Sequence, residues 1–341
     1  YLLIVFLVGF PVMLAELSIG RATQKNVVGA FRTLNSRWRF AGYIGIVILS
    51  YYCVVGGWVL KYVQIYAAGA HFGAGPGAYA DYFSTFSARP VEPLLWGLGF
   101  LVLCIVVVVR GVSQGIEKVS KVLMPLLFLL LAGLVVYSVT RPGAGEGLRF
   151  LFGIDPARLS GDTLVGALGQ AFFSLSVGMG IMVTYGSYVP KSENLAKSAG
   201  WICALDTLVA FLTEEFHLSR ARAAIGLSAP MALLSAGYSL SQSAGRGINL
   251  PWFDFKNGLQ MLPMNAVMEK FTDNLMIPLG ALCFCLFVGW VWGTKAAGQE
   301  IAGEHGLRRM QKPWAFAVRF LAPLVIVVIL YFTLGMGEGL S

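Results

Sequence analysis

Long apolar runs separated by short polar connections dominate the chain. Tyr1–Gly20, Phe40–Ala67, Leu94–Val109, Val122–Thr140, Ser198–Leu212, Ala223–Tyr238, Phe271–Gly293 and Phe316–Leu334 each read as a helix in or across a membrane, for which about 20 apolar residues are needed. One further run breaks the pattern. Asp162–Lys191 carries no charge between its ends, yet its middle, Ser174-Leu175-Ser176-Val177-Gly178-Met179-Gly180, is a poor continuous helix. Glycine in a helix interior costs about 1 kcal/mol against alanine, and lipid offers the serine hydroxyls no partner. Irregular backbone at membrane depth survives only where protein or a wet cavity surrounds it. Two readings stay open on spacing alone. Either the helix is broken at the midplane and its free backbone groups hold an ion and a small ligand, or the small residues permit close helix packing.

Composition sharpens the class. Of the 341 residues 57% are hydrophobic and 12% charged, where a soluble domain carries about 25% charged. The expected fold class is all-α, a polytopic transmembrane helical bundle. The net charge of +8 does not point to nucleic acid, because the basic residues cluster in short connections between apolar runs. Arg21–Arg39 holds Arg21, Lys25, Arg32, Arg37 and Arg39 without an acid, and RGVSQGIEKVSK is also basic. That bias places both loops inside the cell. Carrying the count onward makes the loops at Arg220/Arg222 and Lys295–Lys312 fall outside, against their basic bias. One more crossing near residues 209–213 would restore every assignment. Pro125 is expected near the start of its span, where a missing N–H is cheapest. A short surface helix is expected at Leu148–Leu159, and a turn-rich loop at Ser239–Lys270.

Candidate chemistry is sparse. The five cysteines sit in apolar runs and read as small packing residues, and the three histidines are scattered. No nucleophile–base pair or phosphate loop is present, so the chain is not expected to be an enzyme. The start at Tyr1 shows no charged leader region, so no cleavable signal is expected. Glu16 is an intramembrane acid, costly unless it faces the bundle interior, and reads first as a structural hydrogen bond near the membrane edge. Tyr51 and Tyr52 place two phenols at mid-depth, each in need of a partner.

Taken together, GFPVMLAELSIGR, the Tyr51-Tyr52 pair with Trp58, GQAFFSLSVGMGIMVTYGSY and IPLGALCFCLFVGWVWG resemble the neurotransmitter:sodium symporter family, in its bacterial eleven-helix form with the LeuT-type inverted-repeat fold. The resemblance covers nearly the whole chain. It aligns Tyr1 with the start of the family's second helix and Leu205-Asp206-Thr207 with the early seventh. Ala210-Phe211-Leu212 already resembles the end of the eighth. The chain therefore reads as an incomplete member, lacking the first helix and the stretch from the late seventh to most of the eighth. On this reading residues 1–140 are the remainder of the first repeat (helices 2–5). Residues 162–293 are the remainder of the second (helix 6, part of 7, 9 and 10), and 313–334 are helix 11.

The resemblance implies sodium-coupled amino-acid symport across the cell's inner (plasma) membrane, with a hydrophobic or aromatic amino acid as substrate. The alternative is a non-transporting remnant or a structural membrane protein of the same family. By resemblance, Tyr52 holds the substrate carboxylate, Ile48 lines the pocket one turn earlier, and Phe173 is the lid. Ser174 ligates sodium and borders the substrate, while Ser176 and Met179 line the side-chain pocket. Asp206 is a second sodium ligand. Gln170 and Glu269 match the outer gate, and Tyr188 and Glu214 the inner one. The resemblance implies sodium and the lipid bilayer as partners, excludes nucleic acid, and leaves chloride dependence and a homo-oligomer open.

Overall fold

The computed structural model describes residues 1–69, 78–140, 144–145, 161–213, 248–254, 258–302 and 311–333. In chain order the elements are α1 (Leu2–Thr23), α2 (Val27–Leu34), α3 (Arg39–Ala67), α4 (Ala78–Ser87), α5 (Glu92–Val109), α6 (Lys118–Val139), α7 (Gly161–Ser174), α8 (Ile181–Gly186) and α9 (Leu195–Thr213). A hairpin of β1 (Asn249–Asp254) and β2 (Gly258–Pro263) follows, then α10 (Met264–Val291), α11 (Thr294–Ala302) and α12 (Gln311–Thr333). Among the described residues six helices are long and apolar enough to cross a membrane: α1, α3 with its preceding turn, α5, α6 with its preceding turn, α10 and α12.

Local chemistry sets several boundaries. Pro11 cannot donate to the helical ladder, and a π-helical turn at Val5–Gly9 precedes it inside α1. The helix stops at Gln24, whose φ of +54° is left-handed and whose N–H closes on the Gly20 carbonyl. Asn26 then caps α2 by accepting from the Gly29 N–H at 2.9 Å. Asn194 caps α9 in the same way, accepting from Lys197 N–H at 3.0 Å.

Burial sorts the helices into a centre and a rim. The most apolar window of α1 is 72% buried, and that of the α6 span is 6% buried. The outer helices turn large apolar side chains outward, among them Val102, Leu129, Leu130 and Leu324, as a bilayer requires. The core gathers α1, the broken segment, α10 and α12 around Met13, Phe31, Phe172, Val177, Phe284 and Phe287. Here α1 and α8 meet backbone to backbone. A Cβ at Gly20 would stand 1.9 Å from the Val183 carbonyl oxygen, and one at Gly186 would stand 2.3 Å from that of Leu17.

Several expectations change. Pro125 lies inside α6, not at its start, because the charged stretch before it is helical too. The loop expected at Ser239–Lys270 contains an antiparallel hairpin, with Asn249 opposite Pro263 and Asp254 opposite Gly258. Its strands are short, and Phe253, Leu259 and Met261 remain exposed. The short helix at Leu148–Leu159 and the span at Ala223–Tyr238 lie outside the described residues. The charge count does gain an answer at one end. Arg21 reaches both Glu193 and Glu300, so the connection after α10 shares a face with the basic Arg21–Arg39 loop, as its own basic bias requires.

The α1–α8 contact predicts that Gly20→Ala forces the two backbones apart. Overpacking of this kind costs about 1–3 kcal/mol. A thermal melt in detergent should show a clear drop in midpoint for Gly20→Ala and little change for Gly133→Ala, where an added Cβ meets nothing within 4 Å.

Candidate functional site at the break in the membrane helix

α7 ends at Ser174, α8 begins at Ile181, and Leu175–Gly180 between them is a run of turns. The interruption of the first reading is therefore observed, and so is the close helix packing of the second. The ladder shifts register as it fails: Ser176 N–H bonds to Phe173 O and Val177 N–H to Phe172 O. Ser176, Gly178 and Gly180 have φ of +54°, +85° and +73°. Glycine takes these values freely, but serine pays about 1–2 kcal/mol, so surrounding contacts must hold it.

Those contacts come from three helices. The Glu16 carboxylate of α1 is fully buried and accepts from the Gly178 N–H at 2.6 Å. Glu16 thus makes the structural hydrogen bond expected of it, but at the break and not at the membrane edge. From α10, Gly280 lets the backbone approach so closely that a Cβ there would lie 2.0 Å from the Gly178 carbonyl oxygen. From α3, Gly45 does the same beneath the Met179 carbonyl, at 2.3 Å.

Around this fixed segment the polar groups converge. The Ser174 hydroxyl donates to the Asp206 carboxylate at 2.6 Å, so α9 brings its acid to the end of α7. Asp206 is only 9% exposed. On the other side Tyr52 of α3 faces Phe173, with ring centroids 5.9 Å apart. The Tyr52 hydroxyl is buried and makes no hydrogen bond among the described residues, and the same is true of Thr207 Oγ1, next to Asp206. Buried polar atoms of this kind are rare, and each calls for an explanation.

The remaining candidates fall around this cluster. Ile48 is fully buried one turn before Tyr52, and Met179 is buried in the break. Ser176 is half-buried, whereas Phe173 is 43% exposed at the mouth. Gln170 is half-buried one turn above Ser174 on α7, Glu269 is half-buried near the start of α10, and Tyr188 is exposed beyond α8. Glu214 lies outside the described residues. Sequence reasoning passed over Asp273, an acid within the apolar run Phe271–Gly293 that carries the same signal as Glu16. Its Oδ1 is buried without a hydrogen-bond partner among the described residues. With Gly169, Asn274 and Thr333 it lines a cleft of ≈ 390 Å³ between α7, α10 and α12. Arg21 also escaped notice: it reads as one more loop cation, yet it is 1% exposed.

A bundle of apolar helices, one of them interrupted where hydroxyl and carboxylate oxygens converge, defines a polytopic membrane protein with its site inside the bundle. The chain belongs to the sodium:neurotransmitter symporter family, whose model matches residues 93–268. An uncharacterised sodium-dependent transporter of Methanocaldococcus jannaschii is 30% identical over 355 residues, covering 99% of this chain and 67% of the relative. The sodium-dependent transporter YhdH of Bacillus subtilis is 39% identical over 218 residues, covering 62% of this chain and 48% of the relative. The human sodium- and chloride-dependent GABA transporter 2 is 23% identical over 332 residues. The chain spans about half the length of the bacterial relatives it matches. Among solved structures, that of MhsT in complex with L-phenylalanine superposes with a TM-score of 0.77 at 30% identity, covering 97% of this chain and 89% of that one. The family is one of transporters, not enzymes, and the fold is the LeuT type.

The Glu16–Gly178 bond predicts an order of stability. Glu16→Leu leaves a buried N–H without a partner, at a cost of about 1–3 kcal/mol. Glu16→Gln keeps an oxygen acceptor at that place. Melting midpoints should therefore fall more for leucine than for glutamine, and the reverse order would mean that the carboxylate is not what holds the break.

Proposed function

We propose that the protein is a sodium-coupled symporter that carries a hydrophobic or aromatic amino acid across the inner (plasma) membrane, and that this chain is an incomplete version of it. The observation that carries this reading is the Ser174–Asp206 pair, 2.6 Å apart at the edge of the unwound segment. A hydroxyl and a carboxylate are hard oxygen donors, suited to a hard cation. Interrupted membrane helices offer backbone carbonyls for the rest of such an ion's shell.

Sodium replaces the Ser174–Asp206 hydrogen bond and is held by the two oxygens, which ties the end of α7 to α9. The amino acid lies beside it. Its carboxylate takes a hydrogen bond from the otherwise unpartnered Tyr52 hydroxyl, which explains why that buried donor is left open. Phe173 swings over the ligand as the lid, and its present exposure at the mouth leaves it room to do so. Ile48, Ser176 and Met179 surround the side chain. Met179 supplies a flexible thioether that adapts to bulky apolar shapes, and the MhsT complex holds such an amino acid. Gln170 and Glu269 serve the outer gate, and Tyr188 and Glu214 the inner one. Residues 1–140 and 162–293 are the two repeats on this reading, and the bundle that carries the break rocks to expose the site to either side. Sodium is the coupled ion on this reading, and chloride dependence is left to measurement. The alternative is a family member that packs in the membrane and does not transport.

The test is sodium-stimulated binding of labelled L-phenylalanine to the purified protein, against potassium. Sodium should raise binding. Asp206→Ala should weaken the apparent sodium affinity by about 10–100-fold, the value of a charge-assisted bond of roughly 1.5–3 kcal/mol. Tyr52→Phe should weaken amino-acid binding at saturating sodium. Equal binding in sodium and potassium would favour the non-transporting alternative.

A further inference from the structure

Beyond Lys312, the one charged residue of α12 is Arg319. It lies about 12 Å along the helix from Gln311, at 1.5 Å per residue. A cation inside a span is costly and normally pairs with an acid or reaches back to the membrane edge. Arg319 is half-buried. Its stem crosses Gly289 of α10, where a Cβ would stand 3.3 Å from Arg319 Cγ. Its Nε donates to the Gly289 carbonyl at 2.9 Å. The guanidinium carbon lies 5.8 Å from the centre of the Trp290 ring. Among the described residues no carboxylate pairs with it. The bond to Gly289 satisfies a carbonyl in the last turn of α10, but it uses one of five N–H donors and leaves the charge unmatched.

The surroundings are built for an amphiphile. A π-helical turn of α10, Phe287–Val291, packs against one of α12, Ala317–Leu321, and Gly289 and Arg319 sit in the middle of each. Such turns are frequent at functional sites. On the outer surface Trp290, Phe316 and Phe320 are 61%, 61% and 49% exposed. Their rings touch in a row, 5.7 Å from Trp290 to Phe320 and 5.6 Å from Phe320 to Phe316. Aromatic rings gather where a bilayer meets water. Lys312, exposed, precedes Phe316 and Phe320 at helical spacing and so shares their face. Side chains on a helix lean towards its N-terminus, here the Gln311 end.

We propose that Arg319, with Trp290 behind it and Lys312 below it, binds the phosphate of an anionic phospholipid. The planar guanidinium offers paired donors that match phosphate oxygens, and the Trp290 face steadies it. The acyl chains lie along Phe316, Phe320 and the exposed Leu324. A lipid brings both the missing anion and the apolar cover for the rings, which a free anion does not. A zwitterionic lipid carries its own cation, so the anionic class is preferred. The site is on the rim of the bundle, away from Ser174 and Asp206, and stands or falls apart from the transport reading.

The test is lipid retention by the purified full chain. Phosphatidylglycerol or phosphatidylcholine with the same acyl chains is titrated into detergent micelles, and bound lipid is counted by native mass spectrometry. The protein should retain phosphatidylglycerol in preference. Arg319→Gln keeps an N–H for the Gly289 carbonyl and should weaken phosphatidylglycerol binding roughly five-fold, the worth of one basic residue at an anionic surface, with phosphatidylcholine unchanged. Arg37→Gln, which removes an exposed loop cation, should alter neither. Should Arg319→Gln fail to fold, Trp290→Leu at the exposed ring carries the test, with a loss of about three-fold. Equal retention of the two lipids by the unaltered chain, an unchanged preference in the folded variant, or an equal loss in Arg37→Gln overturns the proposal. So does displacement of phosphatidylglycerol by millimolar inorganic phosphate at constant ionic strength, which would mark a small-anion site.

Discussion

Everything at the centre of this bundle depends on one buried hydrogen bond, from the Gly178 N–H to Glu16. An α-helix in a membrane satisfies its own backbone, and unwinding six residues releases groups that lipid cannot take. The protein supplies a carboxylate from another helix instead. It also removes side chains from the facing helices at Gly45 and Gly280, so that their backbones close in on the unwound turns. The break is thus built from outside itself. A single helix with this sequence would have no reason to hold Ser176 in a left-handed conformation, and the packed neighbours give it one.

With the break fixed, the rest of the site follows by proximity. Ser174 is the last residue of α7, so its hydroxyl lies where the helix stops, and α9 passes close enough to bring Asp206 to it. Tyr52 and Phe173 close the opposite side. Among the described residues the buried Tyr52 and Thr207 hydroxyls beside this pair have no hydrogen-bond partner. At the Arg21 end of the bundle the charges are matched to each other, Glu300 of α11 lying 3.5 Å from Arg21 and 4.0 Å from Lys191.

Much of this was legible in the chain itself, for physical reasons. Apolar length marks the spans, and serines with glycines in an apolar run mark the break. The family motifs name Tyr52, Ser174 and Asp206 as a set, and two of these are in contact. Long-range partnership was not legible. Glu16 is visibly an acid inside a span, but the atom it holds is 162 residues away. Arg21 looks like a solvated loop cation because its burial depends on α11, which the local sequence does not reveal. Pro125 reads as a helix start only if the helix begins where charge ends, and the charged turn before it is helical too. Asp273 carries the same intramembrane-acid signal as Glu16, and its place on the cleft between α7, α10 and α12 required the fold.

The central claim is that Leu175–Gly180 is an interruption held open for an ion, not a weak point in a helix. Amide hydrogen exchange read at those residues tests it most directly, comparing sodium with potassium at equal ionic strength. The account predicts slower exchange at Leu175–Gly180 in sodium, with the amides in the middle of α1 unchanged. Exchange that is identical in the two salts, or protection in potassium as strong as that of the α1 interior, would contradict it.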